Sequence, residues 1–496
     1  METVTWKLEQ EFSGVGAGWT DTTGDVLLSY GGIEWQDGIN STAPENLLAN
    51  PGDIAWAYDN SPSNSAHLAG YYSPGHASCR SGFAKNTRLR YSLISGGMTY
   101  YQNIYWLKTV TPSAGLYEEA VTRCRAVDWL AMMMNVSLPA VAVQTSKRGD
   151  ELLATLLAAI ALQPASSSYA TGDSTFASGF DVDNVDQDSI YSILGKIARS
   201  EFGRIYLAGQ GVLTFENRNA RLGNLTSLGT ITNVMDGIEI QDDAGEVYDQ
   251  VKVSIVPRRA EATLVVLASL DYHLPLHPGE EKTFTLNYVE QTSGSRISGS
   301  NIQVPEISTN YKFGTTDGST EDLNACLGVT MVQTGANSAD IKVKNNGAVS
   351  GYVNLFQVRG YGIYPYNAYT VQVGTGGLRV LSFDMPYQNN PITADAVCNY
   401  LQAVTSDNTR RGARVKIHAN KSAELMLAAL TGLISTRWTI AETQTALGGG
   451  WFINGRHGTI GPGNRFDMEW TVVPAGSTPA WILDTSALGT NTVLTV

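Results

Sequence analysis

The stretch NPGDIAWAYDNSPSN, residues 50–64, carries one short strand between two turns. Turn-forming residues bound it on both sides, Pro51-Gly52 before it and the cluster DNSP after it. Between them Ile54, Trp56 and Tyr58 occupy alternate positions, which puts their side chains on one face of a strand. We therefore expect a half-buried strand whose two ends are fixed, as one element of a larger sheet.

The composition of the whole chain indicates a large, mostly β protein. Its 496 residues exceed one ordinary core and predict roughly three or four domains. Hydrophobic residues make up 43% and charged residues 16%, which excludes a disordered chain or a coiled coil. The 50 glycines favour strands joined by many tight turns.

Charge and cysteine spacing exclude several classes of function. The formal net charge is −13 and there is no block of Lys and Arg, so the basic surface of a nucleic-acid reader is missing. Cysteines 79, 124, 326 and 398 contain no CxxC pair, and hence no zinc or redox motif, while disulfides between them stay open. The N-terminus does not resemble a signal peptide, and the longest apolar run, 152–162, is too short to cross a bilayer.

A helical segment interrupts the strands. Residues 1–128 predict short strands, and two helices follow at 150–162 and 189–202, for which Asp150 and Asp188 are the expected N-caps. Residues 129–202 thus predict a small helical domain. Strands return at 204–216 and continue through 245–385, where we predict a β-sandwich, and a third helix at 394–403 precedes a final β segment.

A search for catalytic and metal-binding patterns leads to no site. The acidic run 181–188 begins like a calcium loop, but Val185 and Asp186 stand where an EF-hand needs Asp or Asn and then Gly. A solvated loop before a helix explains the run better than a metal. His273 and His277 have helical zinc spacing, but Pro275 predicts a turn there. We predict no catalytic, cofactor-binding or metal-ligating residue, and no enzyme.

Longer stretches appear in a recognisable order. They are IYSILGKIARSEFGRIYLAGQGVLTFENRNAR at 190–221, GANSADIKVKNNGAVSGYVNLFQVRGYGIY at 335–364 and ISTRWTIAETQTALGGGWFINGRHGTIGPGNRFDMEWTVVPA at 434–475. Together with the Pro-Gly, strand, Asp-Asn-Ser pattern of 51–61, they resemble the hub or tail-tip proteins of tailed bacteriophages, often labelled minor tail proteins. One stretch of that family, Asp-Ser-x-x-x-Tyr-Gly-x-Arg, is represented here only by GGLR at 376–379.

The resemblance implies a fold that composition alone does not give. It implies a mainly β protein with a small α insert: a first β-barrel at 1–128, completed by about 203–240, and a second at 400–496. The helical domain at 129–202 and the β-sandwich at 245–385 would decorate the two barrels. Six barrels from three chains would form a ring that adapts a six-fold tail tube to a three-fold tip.

The function that the resemblance implies is structural. The chain would be a virion component at the distal tail tip, assembled in the host cytoplasm. It would form a homotrimer without any cofactor and would contact a tail tube or a distal tail protein hexamer. It would organise tail fibres or central tip proteins and let DNA pass without specific binding. The alternatives are a receptor-binding tail protein that grips a host glycan through 245–385, a cell-wall hydrolase, and a related injection or gene-transfer particle.

Overall fold

The computed structural model describes residues 2–114, 119–183, 187–241, 247–318, 320–405 and 412–475. The fold is mostly β, with short helices, as the sequence predicts. Among the described helices, none is both long and apolar enough to cross a membrane. All four cysteines are free thiols.

The N-terminal strands belong to one sheet. They are β1 (Thr5–Gln10), β2 (Thr20–Asp21), β3 (Ile33–Gly38), β4 (Asp53–Asp59), β5 (Arg88–Ser95), β6 (Met98–Ser113) and β7 (Val121–Val127). The long strand β6 pairs with β5 through its first half and with β7 through its second half. The resulting order is β3-β4-β7-β6-β5-β1-β2.

Residues 20–27 close these strands into a first barrel. The segment pairs with β1 through β2, and Val26 then forms a bridge with Tyr58 of β4. The Leu27 amide also donates to the Ala57 carbonyl at 2.9 Å. β4 lies in the stretch 50–64, and its Ile54, Trp56 and Tyr58 are all buried in the core. With this closure β4 has partners along both of its edges, which accounts for a short strand with fixed ends.

The helical segment follows and carries strands of its own. It comprises α1 (Trp129–Met133), β8 (Gln144–Arg148), α2 (Gly149–Ala159), β9 (Ser166–Tyr169), β10 (Thr175–Gly179), α3 (Ile190–Glu201), β11 (Arg204–Ala208) and β12 (Val212–Glu216). β8 pairs with β10, while β11, β12 and β9 form a separate three-stranded sheet. Strands β11 and β12 therefore do not complete the first barrel, which residues 20–27 already close.

The predicted helices are present, but their caps differ from the prediction. The Ser189 hydroxyl accepts the Ser192 amide at the start of α3, whereas Asp188 pairs with Lys196 at 3.0 Å. At α2 the N-cap is Arg148, and the Asp150 carboxylate instead accepts the Gly172 amide at 2.9 Å. An acidic residue near a helix start has several donors within reach, so position alone does not identify the cap.

Residues 230–385 supply two strands to the large sheet, β13 and β14, and form three further sheets. The strands are β13 (Thr230–Ile231), β14 (Gly237–Gln241), β15 (Gln250–Ile255), β16 (Arg258–Ala260), β17 (Val265–Ser269), β18 (Leu274–Leu276), β19 (Glu281–Asn287), β20 (Ser298–Ser300), β21 (Tyr311–Gly314), β22 (Leu327–Gly335), β23 (Ser338–Asn345), β24 (Gly351–Pro365), β25 (Tyr369–Gly374) and β26 (Val380–Met385). β24 is the common partner of β16, β17, β18, β20 and β21, and it faces a second sheet of β19, β23 and β22.

The sandwich thus spans 258–365, a shorter range than the predicted 245–385. The flanking strands β15, β25 and β26 form a separate three-stranded sheet. Their buried residues, such as Val253 and Phe383, belong to the same hydrophobic core as the barrels. An alternating pattern predicts strands well but does not tell which sheet each one joins.

The C-terminal elements build the second barrel, apart from their first helix, which packs against β15 and β25. They are α4 (Pro391–Thr405), β27 (Gly412–His418), α5 (Ala423–Thr431), β28 (Arg437–Ile440), β29 (Gly450–Gly461) and β30 (Arg465–Pro474). Pairing runs β28-β29-β30-β27-β14, and β13, joined to β14 by a short turn, pairs with β28. Residues 230–241 therefore close the second barrel, as residues 20–27 close the first. This corrects the expectation that they complete the first barrel, because their hydrogen-bonding partners lie at 412–416 and 439–440.

Replacing Gly52 with alanine should destabilise the protein. A Cβ at this position would lie 2.7 Å from the Asp128 Oδ2 atom and 2.8 Å from the Gln36 carbonyl oxygen. Overpacking of this kind costs roughly 1–3 kcal/mol of unfolding free energy, which denaturant titration measures. Gly223→Ala is the control, because its Cβ meets nothing within 4 Å. Equal unfolding midpoints for the two variants would contradict the close approach at Gly52.

Candidate functional site: the seam between the barrels

The two barrels share one continuous sheet. In the seam, Ile33–Gly38 of β3 pairs with residues 455–460 of β29 in antiparallel register. On the same edge of β29, the preceding residues pair with β28, so one strand serves both barrels. Within the described residues, this sheet contains 13 strands that run from β14 to β2. The barrels are therefore fixed to each other by backbone hydrogen bonds as well as by side chains.

A fully buried ion pair lies in the seam. The Arg456 guanidinium donates to both carboxylate oxygens of Asp37, at 2.9 Å from Nε and 2.6 Å from Nη2. Its Nη1 donates to the Gln102 side-chain oxygen at 3.2 Å, which adds a contact to β6. Both charged side chains are at most 3% exposed. Burial of two charges is costly unless they are paired with good geometry, and the bidentate arrangement here meets that condition.

A second buried arginine ties the middle of the chain to the second barrel. The Arg221 guanidinium donates to Asn454 Oδ1 at 2.7 Å, Ser435 Oγ at 3.0 Å and Glu216 Oε2 at 3.3 Å. Burial, followed by the charge of nearby Arg204, lowers the pKa of Arg221 to about 10. The side chain stays charged at neutral pH, so its three acceptors hold β12 against the seam.

The Asp128 carboxylate fixes the turn before β4. It accepts the Gly52 amide at 2.7 Å and the Ala131 amide at 2.9 Å, so it joins this turn to the start of α1. Burial raises the pKa of Asp128 to about 7, and the two amide donors offset that effect only in part. The Pro-Gly turn of the opening stretch is thus held by a side chain 76 residues away.

The residues that we considered for metal binding lie in ordinary structural contacts. In the acidic run, Asp183 pairs with Lys196 at 2.6 Å and accepts the Tyr387 hydroxyl, while Asp186 lies outside the described residues. His273 contacts Asp317, and His277 Nδ1 lies 3.2 Å from Ser350 Oγ. Among the described residues, no group of His, Cys, Asp and Glu side chains is arranged to hold a metal ion.

A surface cleft of about 480 Å³ lies between β1, β5 and β6 on one side and β9 on the other. The Arg90 guanidinium lies 4.8 Å from the Trp19 ring centroid and 4.9 Å from that of Tyr101. Glu9 accepts two hydrogen bonds from the same guanidinium. Trp, Tyr and Arg are the residue types enriched at the energetic centres of protein interfaces.

The similarities of this chain to known proteins are similarities to solved structures. No protein-family model and no curated protein sequence matches the chain. The chain is similar to a tail protein from Neisseria meningitidis, with 7% identity over 95% of this chain and 96% of that one and a TM-score of 0.48. It is also similar to a 43 kDa prophage MuSo2 tail protein from Shewanella oneidensis, with 8% identity, coverage of 95% and 98% and a TM-score of 0.49.

A third similar structure comes from a secretion system. It is an Escherichia coli protein described as a component of the type VI secretion system that resembles the T4 bacteriophage tail proteins gp27 and gp5. Identity is 8%, coverage is 91% of this chain and 73% of that one, and the TM-score is 0.37.

Arg456→Met should destabilise the protein strongly, because it leaves the Asp37 carboxylate buried without its partner. Removing one member of such a pair costs roughly 3–5 kcal/mol of unfolding free energy. Denaturant titration measures the loss. Lys421→Met is the control, since it breaks the exposed pair with Asp236, whose side chains are 53% and 48% exposed, and should cost under about 1 kcal/mol. Similar losses in the two variants would rule out the seam pair as a major contact.

Asp128→Asn should flatten the dependence of stability on pH. The raised pKa means that the folded protein keeps this proton up to about pH 7, whereas the unfolded chain loses it near pH 4. The folded state thus binds more protons in that window, and this group makes stability fall as pH rises through it. The variant should remove a slope of up to about 1.4 kcal/mol per pH unit. The unfolding free energy of wild type and variant at pH 4.5, 5.5 and 6.5 measures this slope. The exposed control Asp395→Asn should keep the wild-type slope, and the same slope in Asp128→Asn would refute the prediction.

Proposed function

We propose that the protein is a non-enzymatic structural component of a phage tail, a hub at the distal end of the tail tube. The observation that carries the proposal is the pair of closed barrels in one chain, joined through β3 and β29. The resemblance of the sequence to phage hub proteins supports the same assignment. The location is then the virion tail, and the neighbours are other tail proteins.

A chain with two barrels offers a simple solution to a symmetry mismatch. Three copies around a three-fold axis present six barrels, and six barrels can face a hexameric tube or distal tail protein. The other side of the same trimer keeps true three-fold symmetry and can receive fibres or a central tip protein. The function requires that the two barrels of each copy keep a fixed spacing.

The seam supplies that fixed spacing. Six residue pairs between β3 and β29 join the barrels, and the Arg456–Asp37 pair adds two short hydrogen bonds inside the core. A flexible linker would instead let the barrels rotate and lose register with a six-fold partner. The stacked Arg90, Trp19 and Tyr101 of the cleft offer a further contact for a neighbouring protein.

The excess of acidic over basic residues in the chain also fits the proposal. With a net charge of −13, a channel formed by three copies would be poor in positive charge, so DNA would pass without being held. A structure of the assembled ring tests this part directly. Basic residues clustered on the channel wall would be incompatible with free passage.

The proposal predicts a trimer of about 160 kDa, three times the 53.3 kDa of one chain. Light scattering at several concentrations measures the mass, and negative-stain images of the same sample should show a ring with a central hole. If the chain forms trimers only on the tail tube, trimers should be seen only after the purified chain is mixed with purified tube rings. A chain that stays monomeric in both conditions, and that does not bind the rings, would refute the hub.

A further inference from the structure

The sandwich has a hydrophobic core of its own. Its buried residues, among them Ile341, Val343 and Phe356, pack with one another in a cluster that lies entirely within the sandwich. The barrels, the helices and the β15-β25-β26 sheet share a different cluster, the hub core. Two separate cores allow one part to move without unfolding the other.

The chain enters and leaves the sandwich at neighbouring points. It enters through residues 255–258 and leaves through residues 365–369, and the strands on both sides of these crossings are paired, Ile255 with Tyr369 and Arg258 with Pro365. One further bond joins the crossings, from the Tyr366 amide to the Pro257 carbonyl at 2.9 Å. Two adjacent crossings form one narrow connection, which is the geometry of a hinge.

Further contacts between the sandwich and the hub lie around Asp181 and Val143. The Arg258 side chain, at the first strand of the sandwich, makes an ion pair with Asp181, which follows β10 in the helical segment. The two side chains are 2% and 4% exposed. The Ser298 hydroxyl donates to the Asp181 carbonyl at 2.9 Å, and a small apolar cluster joins Val143 to Ala336 and Ile363.

We propose that the sandwich is a hinged arm that the Arg258–Asp181 pair latches to the hub. Opening the latch exposes both charges to water together, while both hydrophobic cores stay intact. A buried pair with one partner removed is strongly unfavourable, so the latch favours two discrete positions over a gradual drift. A partner that binds the sandwich and pulls it away would break this pair, the Ser298–Asp181 hydrogen bond and the Val143 cluster, while the sandwich core and the hub core stay intact. The inference goes beyond the proposed function and does not depend on it.

Hydrogen exchange of the full-length chain, followed by mass spectrometry, tests the latch. In the double variant Asp181→Asn with Arg258→Met, which leaves no unpaired buried charge, amides at 177–181, which lie where β10 meets the sandwich, should exchange roughly tenfold faster. Amides of β23, β24, β29 and β30, which report on the two cores, should keep their protection. Small-angle scattering should show a larger radius of gyration. The single variant Arg258→Met should show the same pattern, since it also lacks the pair.

Two controls make the result specific. Lys342→Met breaks an exposed ion pair with Glu281 inside the sandwich and should leave the exchange near the latch unchanged. Arg456→Met removes an equally buried arginine from the seam and should speed exchange in the barrels instead. The proposal fails if the double variant exchanges like the wild type at 177–181, or if it loses protection throughout both cores.

Discussion

The pairing of β3 with β29 is the contact on which the rest of the architecture depends. These strands come from opposite ends of the chain, and each already has a partner in its own barrel, β4 for β3 and β30 for β29. Joining them merges two closed sheets, and it also brings Asp37 and Arg456 together in a place that water cannot reach. The pairing register of the two strands aligns the ion pair. The ion pair in turn disfavours any other register, because a shift by one residue would leave a buried charge without its partner.

Both barrels solve the problem of the open sheet edge in the same way. In each, a short extended segment pairs with one strand, turns, and meets a strand on the far side of the circuit. Neither segment is a long strand, because it needs only a few backbone hydrogen bonds to remove two edges. The helical segment and the β15-β25-β26 sheet then pack on this double barrel as part of one core, and the sandwich remains outside it.

Sequence patterns predicted many of the individual strands and helices, but they predicted less of how the strands are paired into sheets. Alternation at Ile54, Trp56 and Tyr58 predicted β4 because strand periodicity is a local property. The helices at 149–159 and 190–201 followed from apolar stripes in the same way. Strand partners are not local, so the assignment of 203–240 to the first barrel and of 245–385 to one sandwich needed correction.

The seam illustrates the same limit for functional residues. Asp37 and Arg456 stand 419 positions apart, and no spacing rule links them. The available signal was a charged residue within an otherwise apolar strand, as in WFINGRHG at 451–458. Such a residue indicates that an oppositely charged side chain pairs with it in the folded protein. The predicted absence of catalytic and metal-ligating residues stays a prediction.

Closure of the second barrel by residues 230–241 has a consequence for synthesis on the ribosome. These residues emerge long before β27, β28, β29 and β30, so β13 and β14 have no sheet to join until residues 412–474 have been made. The first barrel can close early, except that β3 must wait for β29. Nascent chains therefore carry unpaired strand edges until the last strands appear, a state in which neighbouring chains on one messenger RNA can pair wrongly. Closure of the second barrel is therefore timed by the synthesis of residues 412–474.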